Sequence, residues 1–200
     1  MIPDALEIGA RVYLRTLRRE DEREMLALHA RSRRYLLPWI QPMTTAQQFA
    51  AHYARISADP RMVGCLVCRK EDDAIAGVIN VSEIVHGAFL SAYLGYYGSY
   101  EHSGQGYMTE GLNLVLRHCF RKLKLHRLEA NIQPQNERSI RLVKRCGFQY
   151  EGFSPRYLKI GGKWRDHERW AILVENWRGI RAGRAARGSP DVAALQSKDG

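Results

Sequence analysis

The sequence has no apolar run of the roughly 18 residues or more that a membrane-crossing helix needs, so no helical span is expected. Its first residues, MIPDALEIGA, lack the basic-then-apolar layout of a secretory leader. The expected location is therefore the cytoplasm, with no membrane partner. Cysteine is scarce, four residues in 200, which fits that location. Cys65 and Cys68 form one CxxC inside VGCLVC, and no second pair follows. A zinc site takes about four ligands. The four cysteines thus read as buried thiols, with metal or redox use the minor alternative. No metal site is expected, and no internal repeat is present.

Acidic residues are outnumbered, 21 against 31 Lys and Arg, for a formal charge of +10. In residues 179–200 Arg181, Arg184, Arg187 and Lys198 face Asp191 and Asp199. That stretch carries +2, and +8 stays on the rest. Such a field favours anionic partners: nucleic acid, a ribonucleoprotein surface or a phosphorylated cofactor. Plain solubility is the competing reading.

A length of 200 residues suggests one domain with a single core. RVYLRTL (11–17) alternates as a strand, and 19–32 is acidic early and basic late, as a helix dipole prefers. TTAQQFAAHYARI (44–56) opens a helix with Thr44 and Gln47 as a capping box, and puts Phe49, Tyr53 and Ile56 on one face. Residues 62–69, 74–84 and 89–97 read as three strands, the first two a hairpin across EDD. Leu112, Val115, Leu116, Cys119, Phe120 and Leu123 recur at helical spacing within 109–123. A strand at 126–133, a helix at 136–146 closed by Gly147, and strands at 148–160 and 166–174 around GGKW complete the chain. Residues 179–200 lack periodicity and read as a disordered basic tail. The fold class is α/β (α+β), one central sheet flanked by helices.

Between the strand at 89–97 and the helix at 109–123 lies SYEHSGQGYMTEGL, with three glycines. It is not a Walker loop, because no Lys-Ser or Lys-Thr follows the glycines. Nor is it a full dinucleotide fingerprint, because position 109 is Thr rather than Gly. Two readings stay open. One is a plain loop with a helix cap. In the other, the free N–H groups of Gly104 to Met108, at a helix start, hold a pyrophosphate.

This loop with its flanks, YLGYYGSYEHSGQGYMTEGL, resembles the coenzyme A loop of the GNAT N-acetyltransferase superfamily. The family pattern [Q/R]-x-x-G-x-[G/A] falls on Ser103, Gly106 and Met108, and Gly106 is its matching glycine. RLEANIQPQNERSIRLVKRCGFQYEG resembles the family's late strand, loop and helix, with Asn136, Ser139, Gly147 and Phe148 in the motif positions. GAFLSAYLGY, HRLEANIQP and YLKIGGKWRDH resemble the RimJ/RimL branch of ribosomal-protein-alanine N-acetyltransferases, nearest the RimJ pattern. The resemblance covers roughly residues 11–177 and implies a GNAT domain at 11–178. Its sheet would be mixed, mostly antiparallel, and splayed between the fourth and fifth strands.

What the resemblance implies about the site is equally specific. Acetyl-CoA would be the cofactor. Its pyrophosphate would lie on Ser103, Gly104, Gln105, Gly106, Tyr107, Met108 and Thr109, and its pantetheine arm along Leu94, Gly95 and Tyr96. Asn136 would bond that arm or cap the helix. Ser139 would protonate the leaving thiolate or stand as an ordinary first-turn serine. Lys144 would reach a phosphate or solvent. Glu83 is the candidate to orient a water that takes the amine's proton, against a plain solvent-facing strand residue. Glu110 reads as a first-turn acid. Trp39 would touch the acceptor or anchor the core. The leading acceptor is the N-terminal alanine of a ribosomal protein, which would bring ribosome association. A small-molecule amine is the alternative, and a non-catalytic RNA- or ribosome-binding protein the third reading. Monomer and homodimer both remain open.

Overall fold

The computed structural model describes residue 2 and residues 4–177; the expected boundary at 178 and the basic tail 179–200 lie outside the described residues. Eight strands are present: β1 (Ala5–Ile8), β2 (Val12–Thr16), β3 (Val63–Arg69), β4 (Ile75–Val85), β5 (Ser91–Gly98), β6 (Arg127–Ile132), β7 (Gln149–Ile160) and β8 (Lys163–Leu173). Five α-helices accompany them among the described residues: α1 (Glu22–Arg31), α2 (Arg33–Leu36), α3 (Ala46–Ala58), α4 (Tyr107–Arg121) and α5 (Glu137–Arg145). The strands form one sheet in the order β1-β2-β3-β4-β5-β6-β8-β7. Each neighbouring pair is antiparallel except β5–β6, which is parallel.

The sheet is covered on both faces, which is why β3 reads as a continuous apolar run. One core layer joins the sheet to α4 and α5 through Leu112, Leu116, Leu128 and Leu142. The other joins it to α1 and α3 through Met25, Leu28 and Phe49, with Tyr53 and Ile56 at its margin. Cys65 belongs to the first layer and Cys68 to the second. On a strand, residues three apart point to opposite faces. The CxxC therefore holds its two thiols apart, and burial pushes them up to about 12 and about 11, far from a reactive thiolate.

Several local expectations shift. The four-residue β1 is a strand beyond those the sequence pattern indicates; it pairs with β2 through Ile8 and Tyr13. Thr45, not Thr44, caps α3, its hydroxyl accepting from Gln48 N at 3.2 Å. Gln48 Oε1 accepts from Thr44 N at 2.7 Å, the residue before the cap, so the expected capping box is replaced by a single Thr45 cap with Gln48 tied one residue further back. The helix expected from 109 starts at Tyr107. The strand expected from 166 starts at Lys163, because Gly161 and Gly162 both take positive φ (58° and 78°) and turn the chain in two residues.

The parallel pair matters most for function. Its register is Ser91 with Arg127, Ala92 with Leu128 and Tyr93 with Glu129, and there it ends. Beyond Tyr93, β5 continues to Gly98 alongside β4 only. The expected splay is thus present, between what are now the fifth and sixth strands.

Four histidines on this scaffold have pKa values lowered mainly by burial: His29, His52, His118 and His167. The unfolded chain then binds more protons than the folded one once the pH drops below the ordinary histidine value. Stability contributed by keeping these rings neutral is complete above that value and is lost below it. A thermal-denaturation series is expected to show Tm falling steadily from about pH 7 to about pH 5, before carboxylate protonation begins.

Candidate active site

The glycine loop leaves β5 under firm control. Ser99 N bonds Ala76 O at 2.9 Å, and Ser103 N bonds Tyr100 O at 3.1 Å. Gly104 and Gly106 then take left-handed φ values of 78° and 83°, which glycine adopts without a side-chain penalty. Gly106 is the N-cap of α4, and no side chain caps it. The first four amides of a helix have no partner within it. Those of Gly106 through Thr109 are therefore donors at the positive end of a 15-residue helix. Arg11 braces the loop from β2's start, Nη1 donating to Gln105 O at 3.0 Å. Glu110 closes the brace: it accepts from Arg11 N at 2.8 Å, Val12 N at 3.3 Å and Arg11 Nε at 3.3 Å. Burial alone would raise this carboxyl, but those donors outweigh it and hold it below its usual value.

Beside the loop, in the splay, is a cavity of about 800 Å³. Of the sequence-derived ligand residues, Tyr96, Ser103, Gly104, Gly106, Met108, Thr109, Asn136 and Ser139 line it. Leu94 instead packs into the core layer under α4. Gly95 faces open space, with no atom within 4 Å of where a Cβ would stand. Gln105 turns back on its own loop, Nε2 donating to Glu101 O at 3.2 Å. The Tyr107 ring lies under the guanidinium groups of Arg11 and Arg69, 4.9 and 5.4 Å from its centroid. Gln105 and Tyr107 are left with backbone roles in the loop.

Two of the candidate residues stand outside the cavity lining. Lys144 is outside the cavity lining; its Nζ sits 5.1 Å over the Trp170 ring on the other side of α5. Glu83 is also outside it. It stands at a break in the β4–β5 register with φ 50°, exposed and ion-paired to Arg61 at 3.4 Å. The sequence reading missed Arg138, Arg141 and Arg145, which do line the cavity. Their spacing, i, i+3 and i+7, is one helix face, and that was the available signal.

At the start of α5, Asn136 acts as the cap, Oδ1 accepting from Ser139 N at 3.2 Å. The cap fixes the first turn and hence Ser139. The Ser139 Oγ lies 2.6 Å from Tyr96 Oη, across the gap between helix and β5. Burial holds the Tyr96 hydroxyl well above its ordinary pKa, so it keeps its proton. Two hydroxyls with one shared hydrogen bond thus meet at the cavity wall.

Adjacent residues on β5 face opposite ways. Tyr96 packs with the α4–α5 layer and Tyr97 with the α1–α3 layer, yet both line the cavity. The cavity therefore opens to both faces of the sheet. Its second wall is α2 and the following turn, through Tyr35, Leu36, Trp39 and Ile40. That wall is tied across the gap: Tyr100 N donates to Ser32 Oγ at 3.0 Å, Gln133 Nε2 to Pro38 O at 3.4 Å, and Arg138 lies 5.4 Å over the Tyr35 ring. The donor set suits a long phosphorylated ligand. Bare helix amides and three arginines are among its lining, and space that a Cβ would fill remains open at Gly95 and Gly104.

Known proteins fit this geometry. Residues 11–149 match the family model described as an acetyltransferase (GNAT) domain. The chain is 40% identical over 107 residues to the ribosomal protein uS5-alanine N-acetyltransferase of Escherichia coli, covering 54% of this chain and 55% of that protein. It is 30% identical over 77 residues to a spermidine N(1)-acetyltransferase of Vibrio cholerae, 38% of this chain and 44% of that one. These matches span about half the length of the curated relatives. Among solved structures, Mycobacterium smegmatis RimJ in complex with CoA-disulfide superposes with a TM-score of 0.78 at 29% identity, over 88% of this chain and 90% of that one.

Proposed function

This chain belongs to the GNAT acetyltransferase family, and from that premise we propose that it transfers acetyl groups from acetyl-CoA to the N-terminal α-amine of a protein, in the cytoplasm. A ribosomal protein beginning with alanine is the first acceptor to test, as the relation to the uS5-alanine enzyme suggests. The observation that carries the reading is the cavity open to both faces of the sheet, lined by the bare start of α4, the arginines of α5 and the aromatic residues of α2 and β5.

Bound acetyl-CoA supplies the activated acetyl group. The amides of Gly106 to Thr109 and the guanidinium groups of Arg141 and Arg145 would hold its phosphates, and the unpaired edge of β5 beyond Tyr93 would run beside its arm. Ser139 Oγ, bonded to a protonated Tyr96, would hold a proton for the leaving sulfur. An α-amine with a pKa of about 7.7–8.0 is already about a tenth neutral at pH 7, so it needs no dedicated carboxylate base. That agrees with Glu83 standing outside the cavity.

A small-molecule amine is the second reading, favoured by the spermidine-acetylating relative. Polyamines fit this cavity poorly. Glu110 is the one carboxylate among its described lining residues, and it is committed to Arg11 and Val12. The +8 outside the last 22 residues suits an approach to the ribosome. Intact-mass spectrometry of ribosomal proteins from cells lacking this gene, incubated with enzyme and acetyl-CoA, is expected to show one protein gaining one acetyl group at an N-terminal alanine. No gain there, with acetylation of a small amine, would move the assignment to the second reading.

A further inference from the structure

The second aromatic of the β5 pair, Tyr97, has no part in the chemistry above, yet its setting is unusually determined. Tyr97 Oη lies 2.9 Å from His29 Nε2, a residue of α1 that is 2% exposed. The other ring nitrogen, His29 Nδ1, accepts from Met43 N at 2.9 Å. A backbone N–H is always a donor, so Nδ1 must present its lone pair. Burial also keeps this ring neutral. The single ring proton is therefore on Nε2, and it points at Tyr97 Oη.

Two consequences follow. His29 is not a base for the reaction, because taking a proton on Nδ1 would set it against the Met43 N–H. And Tyr97 receives a hydrogen bond from His29, so its own proton is left for another acceptor. His29 is the only hydrogen-bond partner of that hydroxyl among the described residues. Tyr97 packs with the α1–α3 layer and is among the residues that line the cavity, as are Tyr35 and Trp39. The Tyr97 hydroxyl, already the acceptor of the His29 N–H, keeps one proton to donate, and the partner that proton suits is a carbonyl-type oxygen.

We propose that Tyr97, positioned by His29, donates a hydrogen bond to the carbonyl oxygen adjoining the acceptor amine, and so selects α-amino acyl groups (peptide N-termini) over plain alkylamines and polyamines. This rests on the acetyltransferase reading and names its substrate class. A polyamine offers only further N–H donors to a wall that already donates, near Arg138 and with Glu110 committed elsewhere. A site built to bond a polar group discriminates strongly against an analogue that lacks it, because its own group is then left unpaired.

The test compares two acceptors, a short peptide beginning with alanine and isopropylamine, which keeps the branched amine without the carbonyl. The measured quantity is the ratio of kcat/KM for peptide over isopropylamine, in wild type, Y97F, H29F and H29Q, each checked for folding by thermal melt. The wild-type ratio should be high, and Y97F and H29F should each lower it by about tenfold or more. H29Q keeps a side-chain N–H donor and should recover part of the ratio. Equal losses on both acceptors would overturn the proposal, because Tyr97 would then serve the acetyl carbonyl or the fold. An unchanged ratio would overturn it too. Acetylation of neither acceptor by the wild type would remove the enzyme reading itself, and this inference with it.

Discussion

Replacing Ser139 with alanine is expected to lower kcat about 10²-fold while leaving the KM for acetyl-CoA close to that of the wild type, the low end for loss of a positioned proton donor. The geometry behind the expectation is a chain of short links. Asn136 caps α5 and fixes the first turn, the turn presents Ser139, and Ser139 Oγ meets Tyr96 Oη at 2.6 Å. The proposed phosphate contacts are elsewhere, on the loop amides and the α5 arginines, so affinity should survive the loss of one hydroxyl. Y96F should act in the same direction. The S139A/Y96F double variant should be little worse than the poorer single variant, since groups that act as a unit are strongly non-additive. Stopped-flow measurement of acetyl transfer separates these effects from product release. Additive losses, or an S139A enzyme at full rate, would return Ser139 to the status of an ordinary first-turn residue.

Reversing two charges on α5, with Arg141→Glu and Arg145→Glu together, should weaken CoA binding by about 10²-fold at low salt. A unit charge a few ångströms from a phosphate is worth on the order of 1 kcal/mol or more at a partly exposed site. Both side chains line the cavity, and Arg141 is also paired with Glu137 at 2.9 Å. Removing that exposed pair costs little by itself. The deficit should shrink as salt is raised, because screening acts on the same interaction. Binding of pantetheine, which has no phosphate, should change little. Isothermal titration with CoA and pantetheine reads both. Equal losses for the two ligands would mean that the arginines shape the cavity rather than meet phosphates. Lys144→Glu serves as the contrast: over Trp170 and outside the cavity, it should leave CoA affinity unaltered.

Much of this protein was legible before any coordinates, and what was legible is local. The loop between β5 and α4 announces itself by Gly104 and Gly106 ahead of a helical stripe, since only glycine takes left-handed φ cheaply where backbone must approach a ligand. The Asn136 cap and the Gly147 stop, at φ 94°, are also written within a few residues. Some shifts in element boundaries are local as well. A Thr-Thr pair offers two caps one residue apart, and a four-residue β1 is too short for its period to register.

By itself, the sequence determined the order of elements, the layered core and the bare helix start, because each depends on the spacing of neighbouring residues. The tertiary structure alone decided which side chains meet in the splay. Arg138, Arg141 and Arg145 face the cavity and Lys144 does not because of how α5 docks on the sheet. Glu83 is excluded by a register break in β4. Tyr97 finds His29, 68 residues earlier, only because α1 packs on the sheet face opposite Tyr96. Those placements follow from long-range register and helix packing, where one residue of slip turns a side chain to the other face, and no short stretch of sequence encodes that choice.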